Sequence, residues 1–106
     1  MIRASLFAAA IVAAVPALAQ ERTDFRIAWS IYAGWMPWGH MADSGIMDKW
    51  AEKYGLAIEI VQINDYVESI NQYTTCAFDG GTANNIDTLS IPAGSGVDTT
   101  ALIVGV

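Results

Sequence analysis

A chain of 106 residues with 54% hydrophobic side chains and a formal net charge of −6 has room for one small domain. The acidic balance argues against nucleic acid and against anionic membrane surfaces, because both attract basic patches. The single cysteine, Cys76, cannot form an intramolecular disulfide, and its expected place is that of a small residue buried on a helix.

In chain order, Arg3 supplies a positive start, residues 4–15 are apolar apart from Ser5, and Pro16-Ala17-Leu18-Ala19 ends in the small-x-small pattern of a signal-peptidase site. We expect residues 1–19 to be an export signal cleaved after Ala19, with the mature protein beginning at Gln20. The apolar run stops at Pro16, short of the roughly 18 residues that a spanning helix needs. No cysteine follows the cleavage site to carry a lipid, so a soluble exported protein is expected, without stable membrane insertion. Its basic groups are Arg22, Arg26, Lys49 and Lys53, set against all 11 acidic ones.

Residues 25–30 (FRIAWS) have the β-branched and aromatic character of a first strand, and residues 31–39 form a loop marked by Gly34, Pro37 and Gly39. A helix follows. Ile46, Met47, Trp50, Ala51 and Tyr54 share its inner face, Asp48, Lys49, Glu52 and Lys53 the outer one, and Gly55 sits at the C-terminal cap. The pattern leaves open whether this helix starts near Pro37 and breaks at Ser44-Gly45, or starts only there. Trp29 and Trp50 are both expected in the core.

Residues 57–63 (AIEIVQI) read as the second strand, and Asp65 as the N-cap of a helix over 66–77 with Val67, Ile70 and Tyr73 inward. Asp79-Gly80-Gly81 should end that helix. Thr82-Ala83 is the expected third strand, residues 86–91 a short helix stopped by Pro92, and residues 93–96 a turn. The last segment, TTALIVGV over 99–106, is a continuous apolar run typical of a strand buried on both faces. With nothing after it to cover it, the chain is expected to be truncated, and residues 20–106 alone to fold poorly. Strands alternating with helices predict an α/β fold with a parallel sheet.

This order, with an aromatic loop after the first strand, KYG closing a helix, IEIVQ as the second strand, and FDG followed by a short helix and GVDTTALIVG, resembles the first lobe of type II periplasmic solute-binding proteins of ABC importers. It is most similar to the nitrate, sulfonate, taurine and thiamine-precursor branch. The strings YAGWMPWG and VQINDYVESINQYT resemble those of urea-type ABC transporter binding proteins. The resemblance spans residues 25–106. It departs from the pattern near Cys76, where a Gly is expected, at Gly81, where a β-branched residue is, and near Asn84, where a Thr is. It implies a periplasmic, monomeric, longer parent with a second lobe absent here. Solute would be captured between the lobes and delivered to a membrane permease.

In open parallel sheets ligands gather beyond the C-terminal strand ends. Two segments meet that condition. In the first, Tyr32, Trp35 and Trp38 offer flat faces for a small polar solute, although such rings also seal surfaces or meet a second lobe. In the second, Asn84, Asn85 and Asp87 offer amides and a carboxylate, or act as ordinary helix caps. His40 and Asp43 lack a third ligand for a metal. There is no G-x-S-x-G elbow, no phosphate loop and only one histidine, so no catalysis and no cofactor are expected.

Neither segment holds a Lys or Arg, which favours a neutral or cationic amide-like solute such as urea or guanidine over nitrate, a sulfonate, taurine or a thiamine-like pyrimidine. Two readings of other classes remain. The same fold serves enzymes of thiamine-precursor synthesis, which would carry no export signal. A secreted aromatic-rich sugar-binding module would instead have an antiparallel sheet.

Overall fold

The computed structural model describes residues 21–105; the expected export signal lies outside them. Strand β1 (Asp24–Trp29) is central, with β2 (Ala57–Gln62) on one side and the two-residue β3 (Gly80–Gly81) on the other, all parallel, in the order β2-β1-β3. Parallel neighbours need crossovers, and helices supply them. A 3-10 turn (Ala33–Trp35), α1 (Met36–Asp43) and α2 (Ile46–Lys53) join β1 to β2, and α3 (Tyr66–Thr74) joins β2 to β3. Helix α4 (Asn85–Ser90) and a 3-10 turn (Ala93–Ser95) follow β3. The chain is therefore a small α/β domain with an open three-stranded parallel sheet, as its alternating pattern predicts.

The core gathers on the C-terminal half of β1. Ala28 and Trp29 are buried there with Ala51 from α2, Ile70 from α3 and Phe78. The first helical stretch begins at Met36, where Pro37 in the first turn removes an N–H that would have had no partner anyway. It breaks at Ser44-Gly45, because Gly45 takes the left-handed conformation (φ 71°). Gly39 faces the Trp29 indole so closely that a Cβ there would lie 2.6 Å from Cζ2 and 2.7 Å from Cη2.

Several expectations are corrected. Trp50 is 48% exposed, stacked on Tyr54 with ring centroids 6.4 Å apart and the Lys53 ammonium 4.6 Å over its ring. Helix α2 is rolled so that Ala51 is the residue it buries, which turns the Ile46-Trp50-Tyr54 stripe outward. Likewise α3 buries Ser69 and Ile70 and leaves Val67 exposed.

The third strand falls at Gly80-Gly81 rather than Thr82-Ala83. Glycine is a poor strand former in isolation, but here the absence of side chains permits close approach: a Cβ on Gly80 would lie 3.1 Å from Ile27 Cδ1, and one on Gly81 3.3 Å from the Ala28 carbonyl. Residues 99–105 form no strand, and Leu102 and Val104 are each 90% exposed. An apolar run becomes a strand only beside a ladder, and residues 99–105 pair with neither edge of the sheet, β2 or β3.

Helix α3 ends at Thr74, three residues early, and Cys76 is exposed in the left-handed conformation (φ 63°). The Cys76 N–H donates to Tyr73 O at 2.9 Å and the Ala77 N–H to Gln72 O at 2.8 Å, the paired bonds of a Schellman cap. Helix α2 ends in the same way, with Gly55 (φ 68°) donating to Glu52 O and Leu56 to Ala51 O. One cap thus carries the glycine that suits it, and the other carries a Cβ that crowds its own carbonyl. Cys76→Gly should therefore stabilise the domain by about 0.5–1 kcal/mol, net of the extra chain entropy of glycine. Denaturant melts of the two proteins test this, and an equal or lower midpoint for the variant would refute it.

Asp79 ties β3 to β1. Its carboxylate accepts the Arg26 N–H at 2.8 Å and pairs with Arg22, while its own N–H donates to Arg26 O at 2.9 Å. The Arg26 side chain reaches across the ladder to Glu59 at 2.7 Å, donates to Ala77 O at 3.2 Å and lies 4.7 Å over the Phe78 ring. The Arg26 N–H, opposed by some burial and reinforced by Arg22, holds the Asp79 carboxyl below its ordinary 3.8. A lowered folded-state pKa stabilises above the ordinary value, and that stability is lost as pH falls through the lowered one. Asp79→Asn should be less stable at neutral pH and lose less of its stability below about pH 4 than the parent. Parallel acid limbs in melts at stepped pH would contradict this.

Candidate functional site

The three strands end on the same side of the sheet, and their following segments converge. Ser30, Ile31 and Tyr32 follow β1, Asn64 follows β2 and Asn84 follows β3. With Trp35 and Tyr66 they line a cleft of about 290 Å³. This is where a parallel sheet leaves strand carbonyls and helix N-termini without backbone partners.

Local structure sets the aromatic wall. The Trp35 N–H donates to Tyr32 O at 2.8 Å, closing the 3-10 turn and bringing the two rings to 5.0 Å between centroids. Trp35 also lies 5.3 Å from the ring of Tyr66, tilted by 36°. Tyr66 opens α3, whose N-cap Asp65 accepts the Glu68 N–H at 3.0 Å. The cap therefore fixes where the third ring stands.

Polar groups complete the site. The Tyr66 hydroxyl donates to Asp87 Oδ2 at 2.7 Å and accepts the Asn84 N–H at 3.1 Å. Asn84 is the N-cap of α4, its Oδ1 accepting the Asp87 N–H at 2.9 Å. Buried Ser30 donates to Ser69 Oγ at 3.4 Å, and Ser69 Oγ donates in turn to Tyr66 O at 2.7 Å, joining the cleft floor to α3. The Asn64 carbonyl oxygen accepts from Gln62 Nε2 at 2.8 Å. Burial pushes the Tyr66 hydroxyl above its ordinary pKa; the Asn84 N–H opposes this and the Asp87 carboxylate adds to it, so the phenol keeps its proton at neutral pH.

Among the described residues no Lys, Arg or His lines the cleft. Arg22 and Arg26 bond Asp79 and Glu59, and Lys49 and Lys53 lie on α2. A larger groove of about 770 Å³ runs between α2 and β2 over Phe25, Ala51, Leu56 and Ile58. It is an open groove whose lining mixes apolar residues with Asp24, Arg26, Asp48, Glu52 and Glu59, without the converging rings and amides of the strand-end cleft.

Of the residues singled out in the sequence, Tyr32, Trp35 and Asn84 line the cleft. Asp87 stands one step behind it, bonded to the Tyr66 hydroxyl. Trp38, half-buried on α1, and Asn85, exposed as the first residue of α4, do not line it. His40 and Asp43 are exposed on α1, and among the described residues no three His, Cys, Asp or Glu side chains stand together as metal ligands would. Ser30, Ile31, Asn64 and Tyr66 line the cleft without being among those singled out in the sequence. Tyr66 carried a usable signal, since it follows a strand and an Asp cap, the same strand-to-helix position that marked the other two segments.

Among the described residues no helix is long and apolar enough to cross a membrane. In comparisons with known proteins, no family model, curated protein or solved structure matches this chain.

Proposed function

We propose that the chain is the substrate-binding component of an ABC import system, contributing part of the first lobe of a type II solute-binding protein and capturing a small planar polar solute of the urea, guanidine or amide kind. The observation that carries this reading is the strand-end cleft, a row of three aromatic rings beside uncharged amides with, among the described residues, no cationic side chain in its lining. A flat solute gains contact from the Trp35 face, and a guanidinium gains cation-π attraction as well. An anion finds no guanidinium or ammonium partner there, which disfavours nitrate and taurine. In this reading a second lobe closes over the cleft, buries the solute and presents it to the permease.

Calorimetric titration of the full-length gene product with urea, guanidinium, taurine and nitrate tests the proposal. Saturable binding of urea or guanidinium at lower concentration than either anion supports it. Tight binding of nitrate or taurine, with none of the amides, overturns it.

A further inference from the structure

We propose that Tyr66 is a specificity-determining residue of the cleft, its hydroxyl presented as a hydrogen-bond acceptor that favours solutes bearing N–H groups; this rests on the reading of the cleft as a solute site. A phenol hydroxyl has one proton and two lone pairs. The proton is committed to Asp87 Oδ2 at 2.7 Å, and one lone pair takes the Asn84 N–H at 3.1 Å. What remains is one lone pair and no donor.

Donation to a carboxylate also polarises the O–H bond and makes the oxygen a stronger acceptor. The protein holds this state firmly: Asp87 is kept in place by the Asn84 cap, the Tyr66 ring leans on Trp35, and burial keeps the hydroxyl protonated. Asn64 lines the same cleft; its side-chain oxygen already accepts from Gln62 Nε2, and its NH₂ can donate to a solute oxygen. An acceptor and a donor in one cleft complement a solute that carries both N–H and C=O groups.

The test compares urea, guanidinium and donor-free tetramethylurea by competition calorimetry on the full-length protein and on Tyr66→Phe, which keeps the ring and removes only the hydroxyl. The preference for urea over tetramethylurea should fall about tenfold in Tyr66→Phe, through weaker urea binding alone. A structural role for Tyr66 would weaken all probes alike, and that outcome, or an unchanged preference, overturns the inference while leaving the solute class standing. Wild-type protein that selects nitrate or taurine overturns both. If Tyr66→Phe fails to fold, Asp87→Asn decides: it keeps an acceptor for the hydroxyl but removes the charge, so guanidinium should weaken more than tetramethylurea. Equal weakening of the two would contradict the proposal.

Discussion

Gly39→Ala is expected to destabilise the domain by about 1–2 kcal/mol, although Gly→Ala inside a helix ordinarily stabilises by about 0.5–1 kcal/mol. The sign reverses because the new methyl group has nowhere to go. It would stand 2.6 Å from Cζ2 and 2.7 Å from Cη2 of Trp29, an indole only 5% exposed and enclosed between β1 and α1. Either the ring leaves its rotamer or α1 lifts from the sheet, and overpacking of this kind costs about 1–3 kcal/mol. For a domain of this size that is roughly a 4–8 °C fall in Tm for each kcal/mol. The two clashing carbons belong to the six-membered ring that phenylalanine does not place there, so Trp29→Phe should relieve the penalty. A double-mutant cycle by thermal melting checks this: the cost of Gly39→Ala should shrink or change sign in the Trp29→Phe background. Additive effects would show that the two residues are not packed as described.

Trp35→Ala should weaken solute binding by about 10- to 100-fold, because it removes the central ring of the row and with it both stacking and burial. Trp35 stands 5.0 Å from Tyr32 and 5.3 Å from Tyr66, so its loss also frees both neighbours to move. Trp38→Ala is the matched control. It lies three residues on, on α1 and away from the cleft lining, and should leave affinity within about twofold. Calorimetry on the two variants separates these outcomes, and equal losses would mean that the cleft has been drawn around the wrong tryptophan.

The elements that the sequence discloses are those set by local chemistry. β-branched and aromatic residues give β1 and β2, the Asp65 and Asn84 caps give α3 and α4, and Gly55 gives the end of α2, each decided within a few residues. What it conceals depends on contacts between elements. The roll of α2 that exposes Trp50 is chosen by the fit of Ala51 against its neighbours, and two faces of one short amphipathic helix differ too little for composition to decide. The pairing of Gly80-Gly81 with Ile27 and Ala28 runs against strand propensity and is visible only once the backbones are seen to approach. At the site, the aromatic loop and the Asn84 cap stood out because strand-end loops are where parallel sheets bind. The Tyr66 hydroxyl did not, since its partners Asn84 and Asp87 are 18 and 21 residues away and nothing local announces them.

If solute is held against the aromatic row at the strand ends, the indole N–H signals of this chain's four tryptophans should report it in proton–nitrogen correlation spectra of the protein as urea or guanidinium is added. The Trp35 signal should move most and saturably, while that of Trp50, stacked on Tyr54 on the outer face of α2, should stay where it is. Movement confined to Trp50, or a saturable calorimetric signal with no movement at Trp35, would mean that solute is held elsewhere.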